Sequence, residues 1–150
     1  MIQAVTASEM AMPGEGLKVE RMPGHWVLAR LGKRVLRPGG RQLTRRMLDA
    51  LAITASDRVV ELAPGMGITA QQVVARRPAS YVGVDRDANA VARLQAALPR
   101  AGCRILQGEA VATGLPAGSA TVVYGEAMLT MQPGEVKQRI VREAARLLLH

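Results

Sequence analysis

The sequence predicts an α/β domain, a parallel sheet with helices packed on both faces. Three observations predict it. From residue 40 onward, short β-branched runs alternate with stretches whose apolar residues recur at helical spacing. The connections between them are short, as βαβ units require. One connection, within VVELAPGMGIT (Val59 to Thr69), is a glycine turn lying where a strand ends and a helix begins.

The elements follow in order. Residues 1–24 carry Pro13-Gly14, Gly16 and Pro23-Gly24 and read as loop or tail. A short helix is expected over 25–35, broken by Arg37-Pro38-Gly39-Gly40, so that residues 1–39 form a lead-in and 40–150 the α/β body. Leu43, Met47, Leu48 and Leu51 recur at helical spacing and should make one apolar face. Strands are expected at 58–62, 81–84, 103–107 and 121–124, and helices at 68–76, 87–98 and 134–149.

Composition narrows the classes. A chain of 150 residues with 49% apolar content can bury a core, and that core must be aliphatic, because Phe is absent and Tyr and Trp total three. Cys103 is the single cysteine, so no intrachain disulfide is possible, and its place at the start of a strand suits a small buried side chain. The N-terminus has neither the basic start nor the apolar run of a signal peptide, and no run approaches the ~20 apolar residues of a membrane span. The expectation is a cytoplasmic protein. No residue is assigned to a metal.

The net charge of +8 is uneven. Arg30 to Arg46 carries seven basic residues and no acidic one. Such a patch could meet nucleic acid or an anionic surface. It has no interleaved aromatics, and arginine is abundant throughout the chain, so a solvated basic face is the better reading and nucleic acid is disfavoured.

The glycine turn carries the chemistry. Glycine lets the backbone approach a ligand without a Cβ in the way, and the free N–H groups of the helix start face that ligand. Asp85 ends the next apolar run, YVGVDRD, twenty-four residues after Glu61, and is placed to bind two ribose hydroxyls; its alternative role is to cap the following helix. Gly65-Met66-Gly67-Ile68-Thr69-Ala70 also fits the dinucleotide pattern G-x-G-x-x-A. There, however, the helix end receives a pyrophosphate, which Glu61 would repel. A carboxylate suits the ammonium of S-adenosylmethionine (SAM).

These segments resemble class I SAM-dependent methyltransferases of the ubiquinone/menaquinone-biosynthesis type. Glu61 to Gly67 resembles their first motif and Val82-Gly83-Val84-Asp85 their second. Gly108-Glu109-Ala110, Leu115-Pro116 and Val122-Val123-Tyr124 resemble the third block and fourth strand. The resemblance covers roughly residues 40–150 and implies a Rossmann-like fold with SAM as cofactor. It implies cofactor contacts from Glu61, Ala63, Gly65, Met66, Gly67, Asp85, Arg86, Gly108, Glu109, Ala110 and Glu126. Ala63 replaces a usual glycine, and Glu109 is one methylene longer than the commoner aspartate. Glu61 either touches the ligand or braces the loop. A branched side chain at Gly65 or Gly67 should block the cofactor. Glu126 is a candidate general base, with a helix-dipole carboxylate as the stronger alternative. His25 and Trp26 lie in the lead-in, which often lids the pocket in this family.

Family members continue beyond the last helix with a fifth strand and a hairpin, whereas this chain ends at His150. With the family order 3-2-1-4-5-7-6, only 3-2-1-4 is expected, leaving the edge of strand four to be covered. A second copy, a complementing polypeptide or the rest of a longer product could cover it. The expected activity is methyl transfer to a small-molecule acceptor, since Tyr124-Gly125-Glu126-Ala127 does not match the motif of amino-methyltransferases acting on DNA bases. The alternatives are a SAM-binding module or subunit without its own catalysis and, less favoured, an NAD(P)-dependent oxidoreductase.

Overall fold

The structure, a computed structural model, describes residues 39–149 together with Lys18 and Val27. The rest of the lead-in, with its expected helix and His25 and Trp26, lies outside the described residues.

Helix α1 (Gly40–Leu51) precedes a βα series: β1 (Arg58–Leu62), α2 (Ile68–Ala75), β2 (Ser80–Asp85), α3 (Ala88–Ala97), β3 (Cys103–Gln107) and β4 (Val122–Gly125). A short 3-10 turn (Leu129–Met131) and α4 (Gly134–Leu147) follow. The four strands form one parallel sheet in the order β3-β2-β1-β4. Parallel strands pair only through crossovers, and each crossover here is supplied by a helix or a long loop.

Burial on both sides explains the strand sequences. Val59, Tyr81, Ile105 and Tyr124 face one side, where Leu48 of α1, Val73 of α2 and Leu94 of α3 close over them. Val60, Leu62 and Val84 face the other, against Leu115, Ile140 and Leu147. Residues buried on both faces give near-continuous apolar runs such as VVEL and YVGV. Each fully buried aliphatic side chain contributes roughly 1.5–3 kcal/mol.

Two expectations about side chains change. In α1, Leu48 is buried and Met47 and Leu51 pack against the core, but Leu43 is 52% exposed. The inward row is instead Thr44, Leu48 and Leu51, spaced four and three residues apart, so a polar residue holds the place assigned to Leu43. At the start of α3, the cap is Asp87, whose Oδ1 accepts from the N–H groups of Asn89 and Ala90 at 2.9 Å each, and not Asp85.

At the sheet's outer side, among the described residues, β4 pairs with β1 alone apart from one parallel bridge between Ala120 and Leu148. The Leu149 N–H donates to the Ala120 carbonyl (3.0 Å), and the Ala120 N–H to that of Leu147 (2.9 Å). The chain leaving α4 thus returns to the lower end of β4. Behind it, Glu143 of α4 accepts from the Thr113 N–H (2.8 Å) and hydroxyl (2.5 Å), while Arg146 donates to Glu143 and to the Leu115 carbonyl. This network ties the long loop between β3 and β4 to the helix that covers it.

Candidate functional site

The carboxyl ends of β1, β2 and β4 open into a cleft of about 780 Å³. All eleven residues singled out from the sequence line it: Glu61, Ala63, Gly65, Met66, Gly67, Asp85, Arg86, Gly108, Glu109, Ala110 and Glu126. The parallel topology brings them together, because it sets every strand's carboxyl end at one edge of the sheet.

The turn after β1 is wound through three left-handed positions, Ala63 (φ 56), Gly65 (φ 55) and Gly67 (φ 75). Ala63 therefore does carry a Cβ where glycine would be at ease. Its N–H donates to the Val84 carbonyl at 2.8 Å, which continues the β1–β2 ladder and holds the position. Two loop N–H groups are used internally. That of Gly65 donates to Asp85 Oδ2 (2.8 Å) and that of Gly67 to the Pro64 carbonyl (3.0 Å).

Gly67 has a reason to be glycine besides the one expected. A Cβ built there lies 2.1 Å from Leu94 Cδ2. A side chain there would enter the core against α3, so packing on Leu94 already requires glycine at this position.

Asp85 is 6% exposed and already holds two backbone donors, the N–H groups of Gly65 and, at 3.0 Å through Oδ1, of Asp87. Burial pushes its pKa above the usual carboxylate value, and those two hydrogen bonds oppose the rise. Its backbone carbonyl also receives the Gly108 N–H (3.0 Å), which seats the Gly108-Glu109-Ala110 block beside it.

Glu61 is 2% exposed. Its Oε2 accepts from the hydroxyls of Tyr81 (2.5 Å) and Tyr124 (2.6 Å). Burial first, and then the charge of Glu61, pushes both tyrosines well above their ordinary pKa, so both remain donors. Glu126, just past β4, accepts from Thr44 of α1 (2.7 Å) and Thr69 in the first turn of α2 (2.6 Å). It sits beside a helix N-terminus, as the dipole alternative supposed, and it also bridges two helices.

The two tyrosines and two threonines were not singled out from the sequence. One signal was available: the chain has only two tyrosines, and both fall within predicted strands. For Thr44 there was none, since its partner lies 82 positions away. Apolar residues of the cleft, among them Met128, Met131, Val136 and Ile140, were likewise not foreseen as lining.

The electrostatics define what the cleft can hold. Among the described residues, the carboxylates of Glu61, Asp85, Asp87, Glu109 and Glu126 line it, with the guanidinium of Arg86. The whole chain carries +8. An acidic cleft on a basic protein selects a cation, and the loop N–H groups of Gly65 and Gly67 are not offered to a phosphate. These features disfavour a dinucleotide and fit SAM, whose sulfonium and ammonium are positive; the volume also lies within the usual range for such sites, about 300–1,000 Å³.

The fold and cleft together define a Rossmann-like SAM-dependent methyltransferase domain. The chain belongs to the methyltransferase domain family, whose model matches residues 59–150. It is similar to an uncharacterized protein of Haemophilus influenzae, with 36% identity over 129 residues, covering 83% of this chain and 51% of that protein. Among solved structures it is similar to a SAM-dependent methyltransferase from Mesorhizobium loti (22% identity, TM-score 0.60, covering 69% of this chain and 48% of that one). It is also similar to a chain of the complex between the Haloferax volcanii Trm112 methyltransferase activator and a methyltransferase (20%, TM-score 0.58, 73% and 53%). These two likenesses establish the fold. The chain spans about half the length of these relatives. Family membership assigns SAM as the cofactor.

Proposed function

We propose that the cleft binds SAM and serves methyl transfer to a small-molecule acceptor. The observation that carries this reading is the set of carboxylates around a glycine turn on a basic chain. Bound SAM supplies a methyl group already activated by its sulfonium.

What remains to the protein is alignment and exclusion of water. Asp85 receives the ribose hydroxyls; a carboxylate offers about four lone-pair sites, and the two N–H groups leave room for two more donors. Glu61 answers the ammonium, and Ala63 to Gly67 flank the methionine portion. Arg86 and Gly108 to Ala110 flank the adenosine, with Glu109 within reach of its amino group. The apolar side formed by Met128, Met131, Val136 and Ile140 suits the acceptor. Glu126 serves here as a strut between two helices, which its two threonine partners support.

A second reading is a SAM-binding subunit completed by a partner along β4. The place of β4 at the edge of the sheet among the described residues supports it, as does the likeness to a chain from a complex with an activator. Native mass spectrometry of the chain distinguishes a monomer from a self-associated form.

Calorimetric titration with SAM and with NAD tests the principal reading. The wild-type chain should bind SAM and not NAD. Asp85→Ala should weaken SAM at least tenfold, consistent with a loss of about 2–4 kcal/mol for two hydrogen bonds to a charged group. Equal SAM affinity in the variant, or tight NAD binding by the wild type, refutes the proposal.

A further inference from the structure

The basic stretch from Arg30 to Arg46 runs into α1, which carries three of its arginines, Arg41, Arg45 and Arg46, all exposed. From Gly40 to Leu48 this helix has no acidic residue, and Asp49 in its last turn pairs with Arg76 (3.0 Å). Neither ion pair among the described residues, Arg76–Asp49 or Arg146–Glu143, involves those three arginines. Contacts with α2 fix the direction of α1. Its Leu48 carbonyl accepts from Arg76, at the end of α2 (2.6 Å), while Thr44 shares Glu126 with Thr69, in the first turn of α2. The two helices therefore run alongside each other in one direction. Because Ile68 and Thr69 line the cleft, the first turn of α1 also stands at the cleft end of the molecule. Helical side chains lean toward the N-terminus, so those of the arginines lean toward that end. Arg41 with Arg45, and Leu43 with Arg46, stand one above another on the outer surface. Leu43 is 52% exposed. At the same end, the 3-10 turn past β4 exposes Leu129 (37%) and Met131 (58%).

We propose that this end of the molecule, the arginines of α1 together with Leu43, Leu129 and Met131, docks on an anionic lipid surface. Such a surface matches both components. Its phosphates meet the guanidinium groups, and the apolar layer just beneath them takes the leucine and methionine tips. A merely solvated basic face gives no reason for three large apolar side chains at the same end. A nucleic acid would match the arginines but leave those tips without partners, and both tyrosines are buried, so neither can stack on a base.

Co-sedimentation with vesicles tests this. The purified chain should bind vesicles of phosphatidylcholine mixed with phosphatidylglycerol, and not those of phosphatidylcholine alone. The triple variant R41Q/R45Q/R46Q should bind the mixed vesicles roughly tenfold more weakly or worse, since each basic residue near an anionic surface adds to the affinity. A second triple variant, R100Q/R139Q/R142Q, removes as much charge from exposed positions off α1 and should lose far less. Leu43→Ser should cost a smaller factor that persists in added salt, because salt screens charge and not the burial of an apolar tip. Circular dichroism checks that each variant is folded, and all the substituted positions are exposed. Absence of binding to the mixed vesicles overturns the proposal. So do equal losses in the two triple variants, or displacement from the vesicles by single-stranded RNA at matched phosphate concentration, which would make nucleic acid the partner.

Discussion

Single residues in this cleft carry more than one duty, and Gly67 is the clearest case. It begins α2 in a left-handed conformation and leaves no gap beside Leu94. Gly67→Ala would add both backbone strain and a clash with a buried side chain. The sum is about 2–4 kcal/mol, taking ~1–2 for the left-handed position and ~1–3 for overpacking. Urea unfolding should show a loss of that size. In a Leu94→Ala background the same Gly67→Ala change should cost less, because the two changes share one contact. Asp85 is similar. It braces Gly65 and Asp87 as well as facing the cleft, so its truncation should loosen the turn as well as the ligand.

Among the elements, the segment between β4 and α4 is held from outside itself. Ala127 has a φ of 55, and the sulfur of Met128 crowds the position a Gly125 side chain would take. Such backbone persists only where the surroundings fix it. Glu126 supplies part of that fixing through Thr44 and Thr69, which are 1% and 4% exposed. Glu126→Ala should therefore destabilise the fold by about 1–3 kcal/mol, judged from hydrogen bonds to a charged group discounted for partial solvation. Glu126→Gln should restore much of that loss while lacking a basic carboxylate. Denaturant midpoints of the two variants check this. Equal stability in all three proteins would contradict the strut.

For the whole molecule, acid should act through Glu143. Hydrogen bonding from Arg146, ahead of the Thr113 contacts, holds its carboxyl down to about 2, from an ordinary 4.5. Its folded pKa lies below its unfolded one. The stabilisation is therefore complete above about pH 4.5 and is lost as the pH falls towards 2. Arg146 is 40% exposed, so solvent screening reduces the contribution to about 1–2 kcal/mol. Urea unfolding at pH 6 and at about pH 3 should show a smaller acid-induced loss in Glu143→Gln than in the wild type. The loss acts where Glu143 holds Thr113, and Arg146 holds the Leu115 carbonyl, against α4.

The sequence by itself determined the order of strands and helices and the location of the cleft. Local signals decide those features: β-branched runs, helical spacing, and a glycine turn between a strand and a helix. β1 and β3 fall on their expected residues, and among the described residues the other expected strands and helices shift by only one or two positions at their ends. A resemblance spread over three motifs then indicated the cofactor. Only the tertiary structure decided the partners of the buried carboxylates. Glu61 meets Tyr124 from 63 positions away, Glu126 meets Thr44 from 82, and Glu143 meets Thr113 from 30. It also turned Gly67 toward Leu94 and Leu43 toward solvent. No short-range pattern encodes such pairings, because they arise when crossovers bring distant strands and helices together, and there a buried charge must find whatever donors the packing provides.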